Sequence, residues 1–197
     1  MTLRKPSAAD RIRQTAGELF YRRGIGAVGV DEIVARAGVT KPSLYRAFSS
    51  KDELAACYLR DFEVGFWARF DAAVAAHPGD PRAQIAAFLR PLGQRAASAG
   101  YRGCGLTNAA VEHPAPGHPA RQVSEEHKRE LRRRLRAMAR EMGADETLGD
   151  GLLLLIEGAF VSGQLFGEGG PAESVAENAD RLIGAWLPKD RQKRKES

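Results

Sequence analysis

The chain has 197 residues, of which 43% are apolar and 28% are charged; these values are ordinary for a globular protein and argue against wholesale disorder. The apolar run at residues 152–156 is far shorter than the ~20 residues of a membrane span. Two cysteines are too few for a disulfide framework. The first residues lack the apolar stretch of a secretion signal, so we expect a cytoplasmic protein that makes no contact with a membrane.

Positive charge is concentrated in the first quarter of the chain. The 30 Lys and Arg against 25 Asp and Glu give +5 overall, but residues 1–51 alone hold ten bases and four acids, a net charge of +6. The other residues together carry −1. This distribution is expected if a small N-terminal part binds a polyanion, and a basic solvated face is the alternative.

Helical periodicity and capping residues predict an all-α fold. Ser7 and Thr40 are placed to cap the first and third helices, and Ser50 and Glu53 have the spacing of a capping box for the fourth. No segment alternates like a strand. The predicted helices lie at about residues 8–23, 30–37, 41–48, 51–77, 81–99, 101–111, 119–142, 148–167 and 173–187.

Residues 30–48 have the pattern of a helix-turn-helix. Val39 is expected to fill the angle between the two helices, while Leu44 and Phe48 anchor the second helix on the first. An ordinary helical corner is the alternative. The side chains left to project from the start of the second helix, the end that enters a DNA major groove, are Lys41, Pro42, Ser43, Tyr45 and Arg46.

Residues 11–54 resemble the N-terminal DNA-binding region of TetR-family transcriptional regulators. The resemblance implies an all-α protein with a helix-turn-helix DNA-binding domain at residues 1–50 (the head) and a helical regulatory, ligand-binding and dimerisation domain at residues 51–188. The run of charged residues at 189–197 separately predicts a basic, disordered tail. The motifs that carry the resemblance are Leu19-Phe20, Gly24-Ile25, Ile33, Ala37-Gly38-Val39-Thr40, Leu44-Tyr45, Phe48 and Ser50-Lys51-Asp52-Glu53-Leu54, and the stretch at residues 103–112 also resembles one group of these regulators.

The resemblance also assigns DNA contacts by position. Two departures from the family pattern leave the operator sequence open: Val28 and Gly29 stand where the family often has hydroxyl residues, and Ala47 stands where it often has His. The residues implied to touch phosphates or base edges are Thr40, Lys41, Ser43, Tyr45, Arg46 and Lys51.

A homodimer on a roughly palindromic, double-stranded operator is implied in the same way, with the last two long helices of each chain paired as a four-helix bundle. The apolar surface of these helices agrees with that arrangement, and a plain monomer core is the alternative. The predicted interface residues are Leu152, Leu155, Ile156, Ala159, Gly163, Leu182, Ile183 and Trp186.

Such regulators are usually repressors that a small molecule, here of unknown identity, releases from DNA. A pocket of ~300–1,000 Å³ with mostly apolar walls would suit an apolar or amphipathic ligand. Aromatic residues at helical spacing are also typical of plain core. The candidate lining residues are Phe62, Phe66, Trp67, Phe70, Phe88, Tyr101, Cys104, Asn108 and Phe160.

Several other signals are weaker. Cys104 offers an alternative mechanism, redox or electrophile sensing, and an enzyme using the aromatic pocket is a third hypothesis. The G-x-G-x-x-G pattern at residues 24–29 follows a helix and not a strand, so a dinucleotide site is not expected. Glu112, His113 and His118 lack a ligand-dense motif, and we expect neither a metal nor a cofactor.

Overall fold

The computed structural model describes residues 6–187, and within them it contains helices and no strand, which confirms the all-α prediction. The tail at residues 189–197 lies outside the described residues. A 3₁₀ turn at Pro171–Ser174 precedes the last helix. The α-helices are α1 (Ala8–Arg23), α2 (Val30–Ala37), α3 (Lys41–Ala47), α4 (Lys51–Ala76), α5 (Pro81–Ala96), α6 (Gly105–Glu112), α7 (Pro119–Glu141), α8 (Thr147–Phe166) and α9 (Val175–Trp186).

Local capping determines where the first helices begin. Ser7 Oγ accepts the Asp10 N–H at 3.1 Å and the Asp10 carboxylate accepts the Ser7 N–H at 2.9 Å, so α1 begins with a reciprocal capping box. At α4 the predicted box is only half formed. Ser50 Oγ accepts the Glu53 N–H at 3.0 Å, but the Glu53 carboxylate bonds to Ser49 instead of Ser50.

The predicted boundaries between α5 and α6 are wrong by several residues. The helix expected at residues 81–99 ends at Ala96, and the one expected at residues 101–111 begins at Gly105. Gly100 and Gly103 both take a positive φ, of 77° and 70°, a conformation that a right-handed helix cannot include. The two glycines therefore lengthen the connection at the expense of both helices.

The chain folds into two compact units. The first comprises residues up to Val64 together with Cys104–His127, and the second comprises Gly65–Gly103 together with the residues from Lys128 onward. The boundaries fall within α4 and α7, so both helices continue from one unit into the other. The predicted head lies in the first unit, which also includes α6.

Each unit has its own apolar core. In the first unit the largest fully buried side chains come from α1, α2, α3, α4 and α6, and in the second they come from α5, α7 and α8. Each of these helices therefore buries one apolar stripe. These side chains are Ile12, Ile33, Leu44, Leu54, Leu59 and Leu106 in the first unit, and Leu89, Leu92, Leu131, Leu135, Leu148 and Leu152 in the second.

Helix α8 is the most apolar element of the part that the structure describes. Its 20 residues are long and apolar enough to cross a membrane by length and composition, a test that core helices of soluble proteins also pass. Leu152, Ile156 and Phe160 on this helix are buried by the protein itself.

Candidate nucleic-acid interface

The turn between α2 and α3 has the geometry that its sequence predicts. Gly38 takes the left-handed conformation, with φ 61° and ψ 45°, and the Val39 N–H donates to the Val34 carbonyl at 3.1 Å. Thr40 then caps α3, with its Oγ1 accepting the Ser43 N–H at 3.4 Å. These local bonds fix the angle at which α3 leaves α2.

Apolar contacts hold the inner face of α3. Leu44 is fully buried, Phe48 is buried and Val39 is half-buried. Arg11 of α1 donates from Nε to the carbonyl of Ala37 at 3.1 Å, which satisfies a carbonyl at the end of α2. The head is thus a three-helix unit with α3 fixed by its buried side.

The outer face of α3 is polar and exposed. Lys41, Pro42 and Arg46 are exposed, and Tyr45 is 51% exposed although it is a large aromatic side chain. Arg46 makes no ion pair with any residue that the structure describes. A tyrosine and an unpaired guanidinium on one exposed helix face are groups that can bind phosphates and base edges.

Lys41 is paired within the protein. Its Nζ lies 2.7 Å from Oδ1 of Asp31, a largely exposed carboxylate in the first turn of α2. The hydrogen bond to Asp31 and the attraction between the two charges raise the pKa of Lys41. A phosphate that binds Lys41 therefore has to compete with Asp31.

The remaining predicted DNA contacts also have partners. The hydroxyls of Thr40 and Ser43 lie 3.0 Å apart and belong to the cap of α3. Lys51, the first residue of α4, donates from Nζ to the carbonyl of Gly26 at 3.5 Å. All six side chains come from the turn, α3 and the start of α4, and their role in DNA binding stays a prediction.

Acidic residues neutralise several other bases of the head. Arg23 and Arg36 share Glu32, at 2.6 and 3.8 Å, and Arg13 forms a bidentate pair with Asp61 of α4. The hydrogen bonds to Asp61 raise the pKa of Arg13. Glu32 is already subtracted in the net charge of +6, whereas Asp61 lies outside residues 1–51 and compensates one further base. Arg46 has no acidic partner among the described residues.

Three of the predicted pocket residues lie in the first unit. Phe62 stacks on Tyr21, with ring centroids 6.1 Å apart, and meets Tyr58 edge-on at 6.4 Å. Cys104 is 1% exposed and directly precedes α6, and Asn108 is half-buried within α6. The hydroxyl of Tyr58 is buried there without a hydrogen-bond partner among the described residues.

The other predicted pocket residues lie in the second unit. Four of them form one aromatic cluster: Phe88 meets Phe66 and Phe70 at 5.4 and 5.1 Å between centroids, and Trp67 packs edge-on against Phe66 and Phe70. Tyr101 packs against Gly163. Phe160 is buried, and its ring has Lys128 Nζ 5.2 Å from its centroid. Phe66, Phe70, Phe88 and Phe160 are core residues, whereas Phe62, Trp67 and Tyr101 are half-buried.

An open groove of about 490 Å³ on the second unit contains none of the predicted pocket residues. Both acidic and basic side chains line it, among them Arg90, Asp180 and Arg181. Among residues 6–187 the acidic, His and Cys side chains form no group of three that could hold a metal ion. The rings of His113 and His118 instead stack on each other, 4.0 Å apart.

The structure buries five of the eight predicted dimer-interface residues in the core of the chain itself, where they have no surface left for a partner: Leu152, Ile156, Ala159, Gly163 and Ile183. Leu155 and Leu182 are half-exposed, and Trp186 is exposed. Periodicity identifies the apolar residues of α8 but does not show which of them the chain itself buries, and the dimer interface stays a prediction. The exposed apolar residues of this helix are Leu154, Val161, Leu165 and Phe166.

Sequence reasoning missed two acidic residues that organise the head. The pairing of Asp31 with Lys41 leaves no mark in the sequence. Glu112 accepts hydrogen bonds from the backbone N–H groups of Ile25 and Gly26, more than 80 positions earlier in the chain. The glycine-rich pattern of residues 24–29 is the one feature of the sequence that points to the Glu112 contact, because such loops present backbone N–H groups to an anion.

Curated relatives match short stretches of the chain. A stretch of 39 residues is 62% identical to the HTH-type transcriptional activator FasR of Mycolicibacterium smegmatis, covering 20% of this chain and 18% of FasR. A stretch of 64 residues is 36% identical to the HTH-type transcriptional repressor KstR2 of the same organism, covering 32% of this chain and 31% of KstR2. The chain thus matches less than a third of the length of either relative.

The match to solved structures extends over nearly the whole chain. The crystal structure of a TetR-family transcriptional regulator from Streptomyces coelicolor is 33% identical, with a TM-score of 0.81 over 90% of this chain and 93% of that one. The sequence profile of the bacterial regulatory proteins of the tetR family matches residues 12–56. This chain belongs to the TetR family of DNA-binding transcriptional regulators.

Proposed function

We propose that the protein is a repressor that binds a roughly palindromic operator as a homodimer in the cytoplasm and is released by a small molecule bound in its helical C-terminal part. The observation that carries the proposal is the exposed face of α3, where Lys41, Tyr45 and Arg46 project from a capped helix anchored by Leu44. Repression is the finer part of the proposal, since one relative is named an activator and another a repressor.

An exposed apolar stripe supports the dimer. Leu154, Gly158, Val161 and Leu165 follow one another at intervals of four, three and four residues on α8, so they share a face. Leu154 is 72% exposed, and a methyl group placed on Gly158 would meet nothing within 4 Å. A second copy of the same stripe, with Trp186 of α9 beside it, would cover this apolar surface.

A buried hydroxyl near the start of α6 is a candidate polar contact for the effector. The buried Tyr58 hydroxyl, which has no described partner, lies 2.5 Å from where a Cβ on Gly105 would be, and Phe62 borders the same position. A buried hydroxyl without a partner is costly, and a ligand acceptor in this region would satisfy it. Binding of the effector would then favour one arrangement of α4 and α6. This arrangement would change the spacing of the two heads of the dimer on DNA.

Selection of bound duplexes from a random pool, followed by fluorescence anisotropy, tests the DNA-binding part. Tyr45→Ala and Lys51→Ala should weaken binding to most sequences, whereas Arg46→Ala should also relax specificity at one position, by ~1–3 kcal/mol. The affinity should fall steeply as salt rises, because bound phosphates release counterions. An affinity that does not depend on salt contradicts the proposal.

A variant at Cys104 separates ligand release from thiol chemistry. Cys104 is buried, so oxidants and electrophiles have little access to its sulfur. We expect Cys104→Ser to keep the response to an effector found by a thermal-shift screen. Loss of that response in the serine variant, with DNA affinity intact, supports the cysteine-sensing alternative.

A further inference from the structure

Residues 24–29, the glycine-rich loop between α1 and α2, form a cradle that is filled by a carboxylate of the protein. One carboxylate oxygen of Glu112 accepts the Ile25 N–H at 3.0 Å, and the other accepts the Gly26 N–H. Backbone N–H groups presented by a glycine-rich loop are the usual means of holding an anion. The anion here is the side chain of the last residue of α6.

The loop contains Gly24, Gly26 and Gly29, and the first two leave room for the Glu112 carboxylate because they lack a side chain. Gly24 has φ +87°, and a Cβ there would lie 3.3 Å from both oxygens of Glu112. A Cβ on Gly26 would lie only 2.8 Å from Oε1, closer than real Cβ contacts. A Cβ on Gly29, the third glycine, would meet nothing within 4 Å, and this residue is the N-cap of α2.

The same loop contacts a predicted DNA-binding residue. The carbonyl of Gly26 accepts the hydrogen bond from Nζ of Lys51 at 3.5 Å, while its N–H donates to Glu112. Helix α2 begins at Val30, four residues further on, and carries the turn that orients α3. One residue of the loop therefore links α6 to the first residue of α4, and the loop leads directly into the helix-turn-helix.

We propose that Glu112 is a positioning residue for DNA binding: its carboxylate fixes the loop at residues 24–26 and thereby sets Lys51 and α2 in the orientation that DNA requires, so that the position of α6 is transmitted to the head. Glu112 touches no predicted DNA contact directly. The inference rests on the proposed function because its main readout is binding to operator DNA.

The sign of the expected effect distinguishes this role from simple electrostatics. Replacing a carboxylate by an amide raises the net charge by one, which by itself strengthens binding to DNA. Glu112→Gln should nevertheless weaken binding to a selected operator by about fivefold, the equivalent of ~1 kcal/mol, because an amide nitrogen cannot accept an N–H. The matched control is Glu126→Gln, an exposed carboxylate of α7 in the same unit, which should bind as tightly as wild type or more tightly.

Two further measurements separate positioning from a lost phosphate contact and from unfolding. The slope of log affinity against log salt should fall less in Glu112→Gln than in Lys51→Ala, because the displaced Lys51 keeps its charge near the phosphates whereas alanine removes it. Hydrogen exchange at residues 24–29 should be faster in Glu112→Gln than in Glu126→Gln at equal helical content. Gly26→Ala should repeat the loss of affinity, while Gly117→Ala, at a glycine with open space around it, should not.

The outcomes are distinct. If wild type binds a selected operator and Glu112→Gln matches Glu126→Gln in affinity and exchange, the positioning role is wrong and DNA binding stands. If no duplex is enriched by wild type, the proposed function fails, and exchange of the Ile25 and Gly26 amides in wild type decides whether the cradle exists. Fast exchange of both amides overturns the inference even if Glu112→Gln does not fold.

Discussion

Single residues decide how much positive charge α3 offers to DNA. Lys41 lies on its exposed face but donates to Asp31, whereas Arg46 has no acidic partner among the described residues. Asp31 is itself exposed, so the pair is held in water and costs little to break. We therefore expect a phosphate to displace the carboxylate and Asp31 to lower the affinity for any DNA.

Removing this competitor should strengthen DNA binding. Asp31→Asn leaves Lys41 without its carboxylate partner, and we expect a tighter complex whose salt dependence is steeper by about one counterion. Glu18→Gln is the control, because it removes the same charge from an exposed position on α1 for which no basic partner is found between residues 6 and 187. Anisotropy titrations at several salt concentrations measure both quantities. Equal effects from the two substitutions would show that only net charge matters.

At the scale of elements, α7 and α8 are joined by a close backbone contact and by ion pairs. A Cβ on Gly149 of α8 would lie 2.6 Å from the backbone nitrogen of Arg136 in α7. Next to it, Asp150 accepts hydrogen bonds from both Arg132 and Arg136. The arginine-rich face of α7 is thus partly an interhelical contact.

Gly149→Ala should destabilise the protein. The added methyl group meets backbone atoms that cannot move without separating α7 from α8, and we expect a loss of ~1–3 kcal/mol in the free energy of unfolding. Gly65→Ala, in the interior of α4 and near only the flexible end of Arg69, should instead gain ~0.5–1 kcal/mol. Urea denaturation followed by circular dichroism compares the two. Equal stabilities would mean that the helices are less closely packed than described.

The ion pairs of Asp150 should make stability depend on pH in the acid range. Hydrogen bonds from Arg132 and then Arg136 lower the pKa of Asp150 well below its ordinary value. The stabilisation is therefore fully present above about pH 4, near the unfolded pKa, and is lost as the pH falls towards the folded pKa. Asp150→Asn should lower the Tm at pH 7, and the difference from wild type should shrink below pH 4.

The control for this substitution is Glu168→Gln, at an exposed carboxylate for which no arginine partner is described. Glu130 titrates in the same range, since hydrogen bonds from Arg133 and Arg134 lower its pKa to about 2. Glu130 is present in wild type and in both variants, so its contribution to the pH dependence of Tm cancels when the variants are compared with wild type. A Tm difference for Asp150→Asn that stays constant from pH 7 to pH 2 would argue against the ion pairs.

At the scale of the whole molecule, the exposed stripe of α8 supports the proposed dimer. Large apolar side chains at Leu154, Val161 and Leu165 are exposed on one face while the opposite face of the helix is buried. Such a surface is rare on a monomer. A dimer would cover it and present two heads to successive half-sites of an operator.

Charges placed on the stripe should separate the dimer. Leu154→Glu combined with Val161→Glu should convert a particle of about twice the 21.4 kDa chain mass into a monomer in sedimentation experiments. Operator affinity should fall strongly, because the two half-sites would then be bound independently. Val64→Glu, an equally exposed apolar position on α4, is the control and should remain dimeric. A double variant with unchanged mass would place the interface elsewhere.

The sequence by itself determined the helical fold, the helix-turn-helix and the exposed face of α3. These depend on interactions between close neighbours: Ser7 with Asp10, Thr40 with Ser43, and the conformation of Gly38. Caps and periodicity act over three or four residues, so the order of the amino acids is enough to identify them. The half-formed capping box at Ser50 shows the limit of such local prediction, because the Glu53 carboxylate binds Ser49 and not Ser50.

Only the tertiary structure decided which sides of α8 face the protein and which acids hold the head. The pairing of Lys41 with Asp31 and the cradle that binds Glu112 bring together groups that are distant in the sequence. Periodicity shows that α8 has many apolar residues, but it does not show which of them the neighbouring helices cover. These contacts depend on how the helices pack within each unit. Local helix propensity does not determine that packing.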